Sequence, residues 1–386
     1  MTATGTFKSP LTWLGGVLVL YLGYPLAGFM VRLVTSPRRG FHAPGLFPAL
    51  WVSFAGATMA LALVTVCGVP LAYVLARSNG RLAAVVGVLV QIPLALPPLM
   101  SGVVLVYLIG PYTFLGRHLG QHLTDSMVGV VIAMSFVSSP FLIVAARAAF
   151  SGVDQGMLDV ARTLGYSDSA RFLRVAVPSA GHGIRAGMLL TWLRAFGEYG
   201  AVVVLAYNPA SLPIYTYNQF SGRGIPTTLA PTALALAVAV VLVAVSRVRV
   251  RAPSSRPAIV ARPKGPASVR TQPVRFNLDH RLGAFHLRVA HESRVNHLAV
   301  LGPSGSGKSA LLRCLAGLYG ASPGPVWYGD QLVNDVPVER RRVGYVAQGF
   351  SLFPHLNVWR HLTFARESTP ELASYWLEHL RLEGLE

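Results

Sequence analysis

The chain has 386 residues, of which 53% are hydrophobic and only 12% charged, with a net charge of +18. Soluble domains carry about 25% charged residues, so this composition, with its positive mean hydropathy, excludes a wholly soluble protein and places much of the chain in a membrane. The positive charge does not make a nucleic-acid binder, because the basic residues lie between apolar runs and in one linker, with no basic stripe carrying interleaved aromatics.

A bilayer core needs about 20 mostly apolar helical residues. Six segments meet that need: 11–34, 46–76, 82–110, 127–150, 183–206 and 228–245. The first is too long for the core of a cleavable signal peptide and lacks a clear small-residue cleavage site, so it is a retained transmembrane helix. Pro70 in the second span and Pro93, Pro97 and Pro98 in the third predict kinked or broken helices. Arginine placement sets the orientation. Lys8, Arg77, Arg81, Arg147, Arg162, Arg171, Arg174, Arg185, Arg247, Arg249 and Arg251 fall on the cytoplasmic side when the N-terminus is inside. The outer loops then hold Arg117, Arg223 and the pair Arg38 and Arg39. Both termini are expected in the cytoplasm.

Between the fourth and fifth spans lies Asp159-Val160-Ala161, then three residues, Gly165, nine residues and Val175-Ala176-Val177-Pro178. Leu158, Ala161 and Leu164 share a helical face, and Gly165 ends that helix in a sharp turn. Such a short amphipathic helix can insert into a groove on a soluble domain. Arg194 and Glu198 stand one helical turn apart in the fifth span. Intramembrane charges are expensive and face a bundle interior or a water-filled path. Either Arg194 lines an anion path, or the two form an i,i+4 ion pair that fixes packing and cancels the arginine's pull on an anion. The aromatics in 207–220 are interface anchors.

Residues 251–273 are rich in Pro, Ser, Ala and Arg and form a solvated linker. From 274 the pattern becomes α/β. Residues 285–290 alternate as a strand does, and 298–301 make a continuous apolar run expected of a buried parallel strand. Residues 309–318 place Leu311, Leu312, Leu315 and Leu318 at helical spacing, and 342–348 predict another short strand. The expected organisation is an all-α polytopic membrane domain over 1–250, the linker, and an α/β P-loop domain over 274–386. Cys67 and Cys314 suggest no disulfide framework and no metal site.

The most specific motif is Gly302-Pro303-Ser304-Gly305-Ser306-Gly307-Lys308-Ser309, a G-x-x-x-x-G-K-S run between a predicted strand and a predicted helix whose second residue after the lysine is Ala310. Its glycines let successive N–H groups face phosphate oxygens, and the helix that follows points its positive dipole end at the same place. Lys308 can reach the β and γ phosphates of ATP, and the Ser309 hydroxyl suits Mg²⁺, which prefers hard oxygen ligands.

These residues, with Leu311-Leu312-Arg313 and Leu315-Ala316-Gly317-Leu318, resemble the start of an ABC-transporter ATPase. Arg341 to Gln348, followed by Leu352-Phe353-Pro354-His355-Leu356-Asn357-Val358, resembles that family's Q-loop, most closely in oxyanion importers. There the glutamine matching Gln348 touches Mg²⁺ and the attacking water, beside the permease contact. Asp159, Ala161, Gly165 and Pro178 fall on the E-A-A loop by which ABC importer permeases meet their ATPases, with Asp159 and Val160 departing from its Glu and Ala. Leu193 to Gly200 and Pro93 to Pro98 resemble segments of molybdate and sulfate permeases.

The resemblance implies a type I importer permease joined to a truncated ATP-binding domain. Its partners would be a second permease copy, ABC ATPase subunits, an extracytoplasmic solute-binding protein and membrane lipid. Its cargo would be an oxyanion, molybdate or tungstate before sulfate or thiosulfate. The family's signature loop, acidic pair and switch histidine are absent from the sequence, and residues 375–385 resemble the helix before the signature loop, so no catalytic residue is assigned. Phe285 is a candidate to stack on adenine, with a core position as the other expectation. A remnant or regulatory membrane protein that binds ATP without hydrolysing it is the alternative, which the coding DNA past Glu386 would separate. A membrane-tethered kinase would share the phosphate loop but has no acceptor site.

Overall fold

The computed structural model describes residues 10–37, 39–119, 123–247, 265, 271–293, 295–319 and 323–385. Lys8, Arg38, Arg249, Arg251 and most of the linker 251–273 lie outside the described residues. The chain separates into two compact units, 1–147 with 185–250, and 148–184 with 251–386.

The first unit is helical. It runs through α1 (Pro10–Thr35), α2 (Leu46–Arg77), α3 (Arg81–Ala95), α4 (Pro98–Ile109), α5 (Phe114–Leu119) and most of α6 (Met127–Ser151). After the excursion of 148–184, which holds α7 (Gln155–Thr163), α8 (Asp168–Arg171), a π-helical turn (Phe172–Ala176) and α9 (Val177–Ser179), it resumes with α10 (Gly181–Phe196), α11 (Gly200–Leu205), α12 (Leu212–Arg223) and α13 (Leu229–Arg247). Among the described residues four helices are long and apolar enough to cross a membrane, and five if α3 and α4 count as one bent span.

The expected third span is present as a bent pair of helices, whereas the expected fifth, 183–206, is not among the described helices long and apolar enough to cross a membrane, so the expected six spans are not all met. The axes of α3 and α4 differ by 120°. Pro97 and Pro98 have no N–H to give the α3 ladder, and Pro98 forces Pro97 into extended backbone at φ −54, ψ 139. The fifth span divides into α10 and α11 at 197–199. There the Glu198 carboxylate takes the Ala201 N–H at 2.8 Å, a donor that an unbroken helix would give to a carbonyl. Gly102 lets α4 close on α11, where a Cβ would lie 2.9 Å from the Ala201 carbonyl.

The core of this unit gathers Ala57 and Ala60 of α2, Met134 of α6, Trp192 of α10 and Leu205 of α11. Small residues let the helices approach, as membrane packing requires. Trp192 Nε1 donates to Thr58 Oγ1 at 3.1 Å, and the Leu212 N–H to Ser53 Oγ at 2.8 Å. Trp13, Leu20, Trp51, Val66 and Val241 point outward, which costs nothing when the solvent is hydrocarbon.

In the second unit, β1 (Val274–Leu282) and β2 (Phe285–Glu292) form an antiparallel hairpin, and β3 (Val326–Tyr328) and β4 (Gln331–Leu332) extend it in the order β2-β1-β3-β4. Every ladder is antiparallel. Phe276, Leu278, Leu287 and Val326 pack under Leu311 and Cys314 of α14 (Lys308–Ala316). Burial pushes the Cys314 thiol up to about 11, so it is a packing residue and not a nucleophile. Asn357 caps α15 (Val358–Leu362), and Thr369 caps α16 (Pro370–His379).

Two sequence expectations fail here. Residues 298–301 and 342–348 are not strands: Arg342 has a positive φ of 53, Gln348 begins a turn, and Leu301 is 92% and Val346 75% exposed. A parallel strand exists only as a member of a ladder covered on both faces. Among the described residues no strand pairs with either segment, so apolar content alone does not make them strands. The expected helix over 309–318 is α14, and the expected strand over 285–290 lies within β2.

Candidate nucleotide and coupling site

The phosphate loop joins the irregular segment 297–301 to α14. Gly305 at φ 83 and Gly307 at φ 89 adopt left-handed backbone that residues with a Cβ resist. Gly307 is the N-cap, so the unpaired N–H groups of the first turn open onto the loop. Lys308 opens α14 and arches back, its Nζ donating to the carbonyls of Gly302 at 2.8 Å and Pro303 at 2.7 Å. A cation held by two neutral carbonyls exchanges them readily for phosphate oxygens, which make the stronger charge-assisted bonds. Ser309 and Ala310 follow in the same turn. The donors, the helix dipole and the lysine fit a polyphosphate. Phe285 is not in the core: it is 39% exposed, and its ring lies so close to the loop that a Cβ on Gly307 would sit 2.7 Å from its Cζ. Gln348 is exposed and opens a turn over 348–350.

The segment 148–184 packs on α14 and on residues 339–366 within the same unit. Leu158 and Ala161 are buried. α7 closes with the Tyr166 N–H on the Ala161 carbonyl at 3.2 Å and the Gly165 N–H on the Arg162 carbonyl at 3.2 Å. That pattern needs a left-handed residue after the cap, supplied by Gly165 at φ 97. A side chain there would meet Arg366 Cβ at 3.2 Å, and the Arg366 N–H donates to the Leu164 carbonyl at 3.1 Å.

Among the contacts that fasten the segment, two are built on buried or part-buried side chains of its motif and its turn. In the first, Asp159, its side chain 8% exposed, takes Arg313 Nη2 at 2.5 Å, and its other oxygen accepts from Gln155 Nε2 at 3.1 Å. Burial opposes the Arg313 charge, but the attraction and hydrogen bond of Asp159 outweigh it and raise the guanidinium's pKa. Arg313 stands on α14, the helix whose first residue is Lys308. In the second, Tyr166 Oη donates to the Phe364 carbonyl at 2.5 Å and the two rings lie 4.7 Å apart. Arg174 sits 5.3 Å over the Tyr166 ring, and His355 Nε2 donates to the Arg174 carbonyl at 3.0 Å. Pro178 lies in α9, where its carbonyl accepts from Ala180.

Burial, opposed by the bond to Arg174, and the nearby His361 and Arg360 hold His355 below the usual histidine range. Protonation would place a proton on Nδ1, which is buried and has no partner. Stability from this contact is therefore complete above the ordinary histidine value of about 6.5 and declines as pH falls below it. Acidification should lower the melting temperature of the wild type more than that of His355→Gln; equal shifts would remove His355 from the contact.

In the first unit, Arg194 Nη1 pairs with Glu198 Oε2, and Oε1 of the same carboxylate holds the Ala201 N–H. Glu198 is 1% exposed. The guanidinium charge is thus answered one turn away, at the break between α10 and α11.

Arg313, Tyr166, His355 and Phe364 have no role in the sequence-based account. Arg313 and Asp159 are 154 positions apart, and no local spacing links them; opposite charge at two family motifs is the one available signal.

Residues 68–254 match the family model described as binding-protein-dependent transport system inner membrane component, and residues 291–386 match the one described as ABC transporter. The chain is 38% identical over 232 residues to a probable molybdenum ABC transporter permease protein of Haloferax volcanii, covering 58% of this chain and 86% of that one. It is 34% identical over 215 residues to a molybdate/tungstate transport system permease protein of Thermococcus kodakarensis, covering 55% and 83%. Among solved structures, the inward-facing MetNI methionine ABC transporter is 16% identical with a TM-score of 0.44, covering 52% of this chain and 92% of that chain.

Proposed function

We propose that this chain, which belongs to the family of binding-protein-dependent transport-system inner membrane components, is the permease of an ATP-driven importer of a tetrahedral oxyanion, molybdate or tungstate ahead of sulfate or thiosulfate. The permease portion is 1–250, the linker 251–273 and the ATP-binding portion 274–386. The observation that supports coupling most directly is the Asp159–Arg313 contact, because it ties the segment between the spans to the helix of the phosphate loop. The cargo rests on the molybdate and tungstate permeases among the relatives.

Backbone N–H groups of 305–309 and the Lys308 ammonium would hold the phosphates, and the Ser309 hydroxyl and the Gln348 side-chain oxygen would be the groups to take Mg²⁺. When bound, ATP supplies the phosphate charge that this cradle is built to receive. Phe285 offers an aromatic face beside the loop for the base. A shift of α14 moves Arg313, and Arg313 moves Asp159 and α7 with it. Both chain ends lie in the cytoplasm, where α7 and the phosphate loop share one compartment. A second copy completes the membrane pathway, ABC ATPase subunits complete the hydrolytic site, and an extracytoplasmic binding protein delivers the anion. Arg194 and Glu198 fix the break between α10 and α11.

Uptake of labelled molybdate by cells holding the full operon tests this. Excess tungstate should compete and sulfate should not; equal competition by sulfate would overturn the cargo assignment. Gly165→Leu should reduce uptake to background with the protein still in the membrane. The leucine must take a left-handed backbone at a cost of about 1–2 kcal/mol and displace Arg366 as well. Wild-type uptake by that variant would remove the coupling role.

A further inference from the structure

Between α10, α12 and α13 the first unit leaves a groove of about 590 Å³. Thr228, Ala235 and Ala239 line it along α13, and Phe196, Tyr217 and Phe220 wall it from α10 and α12. Its threonine hydroxyls are spent locally: Thr216 Oγ1 donates to the Leu212 carbonyl at 2.7 Å and Thr228 Oγ1 to the Ile225 carbonyl at 2.8 Å. The walls therefore present mostly carbon. The groove opens on the surroundings, since Tyr217 is 52% and Phe220 50% exposed.

Its dimensions select the occupant. From Thr228 to Ala239 the groove follows α13 for about 16 Å, at 1.5 Å per helical residue. That is one half of a hydrocarbon core about 30 Å thick. A helix from another chain, about 10 Å across, would need roughly 1,250 Å³ over that length, twice what the groove holds. An acyl chain of one leaflet is a thinner thread with the right reach. It gains packing contacts here, since lipid tails and these walls are equally apolar.

One end of the groove is marked by charge. The positions of α12 that line it are 212, 213, 216, 217 and 220, and the same helical stripe reaches Arg223 three residues on. Arg223 is exposed, and no acidic residue occurs between Glu198 and Asp279, so neither α12 nor α13 carries a carboxylate to answer it. Tyr217 and Phe220 precede it on that face, as aromatics do where hydrocarbon meets headgroups. We propose that this groove binds one anionic phospholipid, its phosphate on Arg223 and an acyl chain along α13. Gly197 also lines the groove, so the chain lies against the break between α10 and α11.

The test reconstitutes the full chain in nanodiscs of equal parts phosphatidylglycerol and phosphatidylcholine with the same tails, and native mass spectrometry counts the lipids retained. The wild type should retain one phosphatidylglycerol in preference to phosphatidylcholine. Arg223→Gln should lower that preference about fivefold, the weight of one basic residue at an anionic surface, and Arg223→Lys should keep it. Ala239→Phe fills the hydrocarbon end and should release lipid of both kinds. Val240→Phe, at the next residue but 58% exposed and outside the groove, should retain lipid as the wild type does. Arg223 is exposed, so its variants keep the fold even if Ala239→Phe does not. Equal retention of the two lipids by the wild type, or wild-type preference in Arg223→Gln, would overturn the headgroup site. Wild-type retention by Ala239→Phe would overturn the groove as the seat of the chain. A two-chain mass that Ala239→Phe abolishes with its lipid count unchanged would overturn the lipid and give the groove to a second copy.

Discussion

Lys308→Ala should cut nucleotide affinity by orders of magnitude while the chain stays folded in the membrane. The lysine is outside the core of Phe276, Leu278, Leu287, Leu311 and Cys314, and its Nζ touches the carbonyls of its own loop. Its loss therefore frees two exposed carbonyls, which water satisfies, and removes no packing. Bound phosphate loses two charge-assisted hydrogen bonds, worth about 1.5–3 kcal/mol each. Affinity should fall by roughly two to four orders of magnitude, since about 1.4 kcal/mol is tenfold. Titration with a fluorescent ATP analogue measures this, and unchanged affinity would remove the phosphate-loop assignment.

The residues that set the backbone directly were legible in the sequence. Gly305 and Gly307 hold the left-handed angles a phosphate loop needs, Gly165 ends α7, and Pro97 with Pro98 breaks α3 from α4. Apolar length alone located four of the six expected spans and the bent pair at 81–109, because in hydrocarbon every helix must satisfy its own backbone; it misjudged 183–206, which breaks into two shorter helices. What stayed hidden depends on residues distant in the chain. Asp159 reads as a motif position, but its burial against Arg313 comes from folding 148–184 onto α14. Phe350 and Ser351 carry no turn signal, yet both have positive φ, beside a Ser351 hydroxyl that donates to Asp154, 197 positions away. The break at 197–199 has a similar cause: Glu198 reads as an intramembrane charge, whereas its hydrogen bond to the Ala201 N–H replaces a helix carbonyl. The segments 298–301 and 342–348 erred in the other direction, since an apolar run records a preference for burial but not the partner that would provide it.

Reversing the charge at either end of the Asp159–Arg313 contact should stop uptake, and reversing both should restore part of it. Removing one partner of a buried ion pair costs about 3–5 kcal/mol, because the other is left uncompensated. Here the cost lies toward the lower end, since Arg313 is 31% exposed where Asp159 is 8%, and water reaches the guanidinium. Asp159→Arg sets two guanidinium groups against each other, and Arg313→Asp two carboxylates; each drives α7 away from α14. The double variant Asp159→Arg with Arg313→Asp recreates an attractive pair with its polarity inverted. The longer side chain then comes from α7, so the distance differs and recovery is partial. Gln155, which now donates to Asp159, would face a donor in that variant, a second reason for incomplete recovery. Molybdate uptake by the four proteins forms a double-mutant cycle, in which directly interacting residues give a coupling energy of about 0.5–3 kcal/mol. Losses that simply add would mean that the two side chains do not act on each other during transport. The path from phosphate loop to membrane would then have to pass through Tyr166 and Phe364 or through Asp154 and Ser351.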